Sequence, residues 1–121
     1  MRHFRLLAMF AVLLVIQACK HPLEIVGRGD IVDLNDSGHG CTLEQFESQD
    51  PACTANEVTD EYDVNYQPVP RAGWEFSHWE GECGPESRFP LCRYNVTSEE
   101  LAWWEENFAG EEIPPTVAVF K

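Results

Sequence analysis

The sequence predicts a small, mainly β (α+β) domain: a compact antiparallel or mixed sheet of about five or six short strands, with one inserted helix near 98–108 and two local disulfides. Three observations predict it. Short segments alternate apolar and polar side chains with the two-residue period of a half-buried strand, as in Tyr62, Val64 and Tyr66 against Asp63, Asn65 and Gln67. Glycine and proline break these segments at short intervals, leaving no long helix-period stretch before residue 97. Four cysteines, Cys41, Cys53, Cys83 and Cys92, are spaced as local staples.

Taken in order, Leu23–Val26 and Asp30–Leu34 read as two short strands around the glycine turn Gly27-Arg28-Gly29. Asn35 to Thr59, with Gly38, Gly40 and Pro51, reads as a stapled loop with room for one helical turn. Glu61–Gln67 is the alternating strand, which Pro68, Pro70 and Gly73 are expected to end. Trp74–Trp79 is an aromatic-rich extended segment closed by Gly81 and Gly84, Cys92–Val96 alternates again, and Thr116–Phe120 is a β-branched final strand. Between the last two lies the helix. Thr97 is its cap, Glu100 completes a capping box, and Leu101, Trp104 and Phe108 recur at i, i+3 and i+7 before Gly110 stops it. Glu99 and Glu100 suit the positive end of the helix dipole.

Composition narrows the function. The 121 residues carry 21 acidic and 8 basic side chains, a formal charge of −13. Such a chain has no basic face with which to displace counterions from nucleic acid, nor to adhere to anionic headgroups. Apolar residues make up 44% and aromatics 12%, more than a disordered chain carries.

The N-terminus begins with a basic stretch, Met1-Arg2-His3-Phe4-Arg5, and continues into an apolar run from Leu6 to Ile16. That run is too short to cross a hydrocarbon core of roughly 30 Å, and fits the h-region of an export signal. Ile16-Gln17-Ala18-Cys19 follows and resembles the lipobox of bacterial lipoproteins. The resemblance implies that 1–18 is a removed signal peptide, that Cys19 becomes an acylated first residue, that 19–22 is the tether, and that 23–121 is the domain. Loss of Arg2 and Arg5 would make the mature chain two charges more negative. Acyl chains contribute about 0.8 kcal/mol per buried methylene, so two or three hold a protein stably. Localisation is then the bacterial cell envelope, and Lys20 resembles an outer-membrane sorting residue for a Gram-negative source.

With Cys19 assigned to lipid, the four other cysteines lie in an oxidising compartment. Three pairings are open to them. The sequence-local one, Cys41–Cys53 with Cys83–Cys92, closes two short loops, each contributing roughly 2.5–3 kcal/mol in the chain-entropy description. Zinc is disfavoured, because the cysteine spacings are not those of a metal knuckle and His21, His39 and His78 stand at no ligand interval from them.

The run Ala72-Gly73-Trp74-Glu75-Phe76-Ser77-His78-Trp79-Glu80-Gly81-Glu82-Cys83, then Cys92-Arg93-Tyr94-Asn95-Val96-Thr97, then Val117-Ala118-Val119-Phe120, resembles the bacterial repeat domain of the divergent internalin-type B-repeat family. Gly27-Arg28-Gly29-Asp30-Ile31-Val32 is similar to that family's opening hairpin, and Cys41 and Cys53 stand where many members carry a cysteine pair. The resemblance implies a small, mostly β unit of bacterial surface proteins with no catalytic residues, and places Trp74, Phe76 and Trp79 in its core. Two departures stand out: a single copy is present, and Ser98–Pro115 reads as an insertion before the last strand.

Candidate sites follow. Trp103 and Trp104, with Glu106, Glu99 and the acidic pair Glu111–Glu112, form a possible ligand rim, since one of two adjacent tryptophans on a helix must leave the buried face. Asp33, Asn35, Ser37, His39 and Glu44 match the letter pattern of a calcium loop, although the flanks read as strand and Gly40 and Cys41 interrupt it. No serine elbow, phosphate loop or zinc-protease motif is present, so the expectation is a non-enzyme without a cofactor. The functional expectation is a lipid-anchored binding or accessory module for a basic protein or a glycan. The alternatives are an acidic inhibitor or capture protein for a basic partner such as a lysozyme, and a calcium-dependent surface module.

Overall fold

A computed structural model describes residues 19–35, 39–58, 61–83, 90–108 and 114–121. Residues 1–18, expected to be a signal peptide, and Ser37, Gly84, Gly110 and the Glu111–Glu112 pair lie outside them.

The fold is mainly β, as expected, with six strands in two three-stranded sheets over one core. The first sheet is mixed. Its centre is β8 (Thr116–Phe120), flanked by β2 (Leu23–Val26) running parallel and β6 (Phe76–Glu80) running antiparallel. All five β8 residues are buried, which is why this strand reads as a continuous apolar run instead of alternating. The second sheet is antiparallel, in the order β3 (Gly29–Asp33), β5 (Tyr62–Pro70) and β7 (Cys92–Val96). Two dipeptides, β1 (Cys19–Lys20) and β4 (Glu57–Val58), pair apart from both. The described residues also hold three helices: α1 (Leu43–Glu47), α2 (Pro51–Thr54) and α3 (Ser98–Phe108).

Both expected bridges form. Cys41 and Cys53 have Cα atoms 5.2 Å apart, and Cys83 and Cys92 have theirs 5.5 Å apart. Cys41 also exchanges both backbone hydrogen bonds with Ile31 at 2.8 Å, so the first bridge ties α2 to the free edge of β3.

Three expectations are corrected. The strands around Gly27-Arg28-Gly29 do not form a hairpin: β2 joins the first sheet and β3 the second. Gly27, at φ +87°, makes the switch, because a Cβ there would collide with the Phe120 backbone as the chain crosses it. Gly29 lies directly beneath the Phe120 ring, where any side chain would overlap the ring atoms. Gly29→Ala is therefore expected to destabilise the domain by about 1–3 kcal/mol, measured by urea titration.

The second correction concerns β5, which continues through Pro68 and Pro70. Ile31 faces Pro68 in the register, yet spends its own N–H and C=O on Cys41 at the opposite edge. Ile31–Pro68 is thus a non-hydrogen-bonded pair, and the missing proline N–H points toward the β7 side. There the ladder has already ended, at Tyr66 opposite Cys92. No hydrogen bond is lost. Third, the stapled loop holds two helices. Thr42 and Gln45 form a reciprocal capping box for α1, and Asp50 caps α2 ahead of Pro51.

The predicted α3 capping box is present: Glu100 N–H donates to Thr97 Oγ1 at 3.0 Å, and Thr97 N–H donates to Glu100 Oε1 at 3.2 Å.

Candidate functional site

The residues expected to form the tether are built into the fold. Cys19 and Lys20 pair with Val58 and Glu57, His21 N–H donates to the Asn56 carbonyl at 2.8 Å, and Thr116 N–H donates to the Pro22 carbonyl at 3.0 Å. His21, only two residues beyond Cys19, is 0% exposed.

His21 organises a buried polar cluster. Its Nδ1 lies 2.8 Å from the Tyr62 hydroxyl, and its Nε2 lies 3.1 Å from Thr116 Oγ1 and 2.9 Å from the Tyr94 hydroxyl. Burial, reinforced by nearby His39, lowers the His21 pKa to about 4, so the imidazole is neutral near pH 7. A neutral ring offers one donor and one acceptor, which suits hydroxyl partners on both nitrogens. Burial likewise pushes the Tyr62, Tyr66 and Tyr94 hydroxyls up, keeping them protonated. The buried Tyr66 hydroxyl has no partner in hydrogen-bonding geometry, although it lies near those of Tyr62 and Tyr94. Beside the cluster, Asn56 and His39 bond to each other twice, at 2.7 and 3.3 Å. Tyr62, Val64 and Tyr66 face inward as the alternation predicts. The role of His21 was not visible in the sequence, because nothing in the letters around it marks this histidine as core.

The rim at α3 is half of what was expected. Trp104 is 4% exposed and its ring lies 5.5 Å from that of His21, so Trp104 belongs to the core and is removed from the rim. Trp103 is 53% exposed, with its ring edge-on to Phe108 at 5.8 Å. Glu99 and Glu106 are exposed as well, and lie four before and three after Trp103 on the helix surface.

Of the calcium pattern, Asp33, Asn35, His39 and Glu44 lie among the described residues. Asp33 accepts from the Asn35 and His39 backbone N–H groups at 2.9 and 3.3 Å. Glu44 sits in α1 and receives both guanidinium arms of Arg71, at 2.7 and 2.8 Å. These hydrogen bonds to Arg71 hold the Glu44 carboxyl down at about 2. Arg71 also reaches Asp30 Oδ1 at 2.7 Å, and that same oxygen accepts the Leu43 N–H at the start of α1. Among the described residues, no three acidic, histidine or cysteine side chains converge on a metal position.

Trp79 is fully buried, and Phe76 packs on it and on Phe120 at ring distances of 5.5 and 5.9 Å. Trp74 is partly buried against the same core. Next to them, Ser77 Oγ lies 2.9 Å from His78 Nδ1, and His78 Nε2 lies 2.9 Å from Glu80 Oε2. This serine–imidazole–carboxylate chain runs along an edge strand and spans its register shift. The depression beside it is shallow and open, lined by Glu75, Phe76, Ser77 and Lys121. A second open groove, of about 360 Å³, crosses the outer face of β5 and β7 between Asn35, Asp63, Asn65 and Arg93. Both depressions are open to solvent.

No protein-family model, curated protein or solved structure matches this chain.

Proposed function

We propose that this chain is a non-enzymatic, lipid-anchored protein of the bacterial cell envelope that presents one disulfide-stapled β domain as a binding or accessory module. The supporting observation is how the thiols divide. Four cysteines close two bridges, and the fifth, Cys19, stands at a lipobox-like site where the folded domain begins. Bridges of this kind persist outside the reducing cytoplasm, where lipid attachment also occurs. The same reading takes the domain as a single divergent internalin-type B-repeat. Cys19→Ala, expressed with its leader, is expected to shift the protein from the membrane to the soluble fraction. Continued membrane fractionation of the variant overturns the lipid anchor.

A second reading, capture of a basic protein, has its own support. Helix α3 carries Glu99, Glu100, Glu105 and Glu106 and no basic residue, while Arg71 and Arg28 are engaged by acidic partners within the domain. Such a surface steers cationic partners at low ionic strength and loses its hold as salt rises. Pull-downs with a basic envelope-active enzyme at two salt concentrations test this reading, and no salt-sensitive retention refutes it.

A further inference from the structure

We propose that α3 rests against the same bilayer that holds the Cys19 lipid, with Trp103 inserted at the level of zwitterionic headgroups. The inference deepens the lipid-anchor reading and rests on it. Only Lys20 separates Cys19 from the fully buried His21, a reach of about 7 Å at full extension. Even that slack is removed by the pairing of Cys19 and Lys20 with β4 and by the His21–Asn56 backbone bond. The surface next to Cys19 is therefore held at the bilayer, within a headgroup layer roughly 6 Å deep.

Helix α3 is that surface. It packs beside β1, and Trp104 on its inner side touches the His21 ring at 5.5 Å. One residue back, about 100° round the helix, Trp103 leaves the core. It is the most exposed of the large hydrophobic side chains among the described residues, and its ring is braced by Phe108. An amphipathic indole so placed is the side chain that favours a membrane interface. The neighbouring Glu99 and Glu106 select the lipid. They repel an anionic surface and complement the ammonium groups of a zwitterionic one such as phosphatidylethanolamine.

The test uses the full acylated protein in phosphatidylethanolamine-containing zwitterionic vesicles whose acyl chains carry bromine near the headgroup. Wild-type tryptophan emission is expected to be quenched. Trp103→Ser is expected to lose most of that quenching while still floating with the vesicles and keeping its melting temperature. Equal quenching in both proteins, or none in either, overturns the proposal while the lipid anchor stands. Quenching that grows with added anionic lipid overturns the headgroup assignment. Trp103 emission that ignores bromine but responds to an added basic protein gives the rim to a protein partner and also overturns the proposal. An intact mass lacking the acyl chains refutes the anchor itself.

Discussion

Replacing Trp79 by alanine is expected to cost about 3–5 kcal/mol, a large share of the roughly 5–15 kcal/mol that holds a domain of this size together. The indole is fully buried in β6, an edge strand whose packing depends on its inward side chains. It packs on Phe76 and belongs to the core shared by both sheets. Alanine leaves a cavity the size of the ring system, because the surrounding strands are fixed by their ladders and cannot collapse into it. The indole N–H also donates to the Pro90 carbonyl at 3.2 Å, holding the segment before β7. Trp79→Phe keeps much of the packing but removes that donor, so it is expected to cost about 1–2 kcal/mol less than alanine and still to destabilise. Urea midpoints for the two variants separate packing from hydrogen bonding. A Trp79→Ala protein that melts like wild type contradicts the placement of this residue.

Acidification from pH 6.5 to 4 is expected to remove about 3 kcal/mol of stability through His21 alone. The folded-state pKa is about 4, against 6.5 for a free imidazole. Above 6.5 neither state is protonated, and the neutral ring contributes its full stabilisation. As pH falls below 6.5 the unfolded chain takes up a proton that the folded chain refuses. Stability therefore drops until the folded pKa is reached, and is lost below it. His39 beside the cluster deepens the effect by electrostatic repulsion. Glu82 acts in the opposite sense: partial burial and Glu100 raise its pKa, so acid relieves it. Denaturant midpoints measured every half pH unit, for wild type and His21→Gln, isolate the histidine. The variant is expected to show a flatter profile across this window, with lower stability at pH 7 because the Tyr62, Tyr94 and Thr116 hydroxyls lose the ring they surround. A wild-type profile flat between 6.5 and 4.5 contradicts the buried neutral imidazole.

Local signals were legible wherever the deciding interaction is local. Thr97 and Glu100 bond to each other three residues apart, so the start of α3 can be read directly, and the i, i+3, i+7 stripe correctly turns Trp104 inward. The two bridges close loops with separations of 12 and 9 residues and follow the sequence-local pairing. What could not be read depends on distant partners. The parallel pairing of β2 with β8 joins Leu23 to Thr116, across almost the whole domain. Passage of β5 through two prolines is possible only because β7 stops at Cys92, which no property of the prolines reveals. The capping box at Thr42 and Gln45 was present in the letters, but turn-forming residues on either side masked it. At the candidate site the exposure of Trp103 followed from helix geometry, whereas the burial of His21 came from Tyr62, Tyr94 and Thr116 closing over it from the two sheets.

Peptide mapping of the protein extracted from membranes, without reduction, tests the central claim most directly. The account predicts an N-terminal peptide that starts at Cys19 and carries diacylglyceryl mass, together with two crosslinked pairs, Cys41 with Cys53 and Cys83 with Cys92. An unmodified Cys19 inside an uncleaved leader, free thiols, or a bridge from the first loop to the second would contradict it.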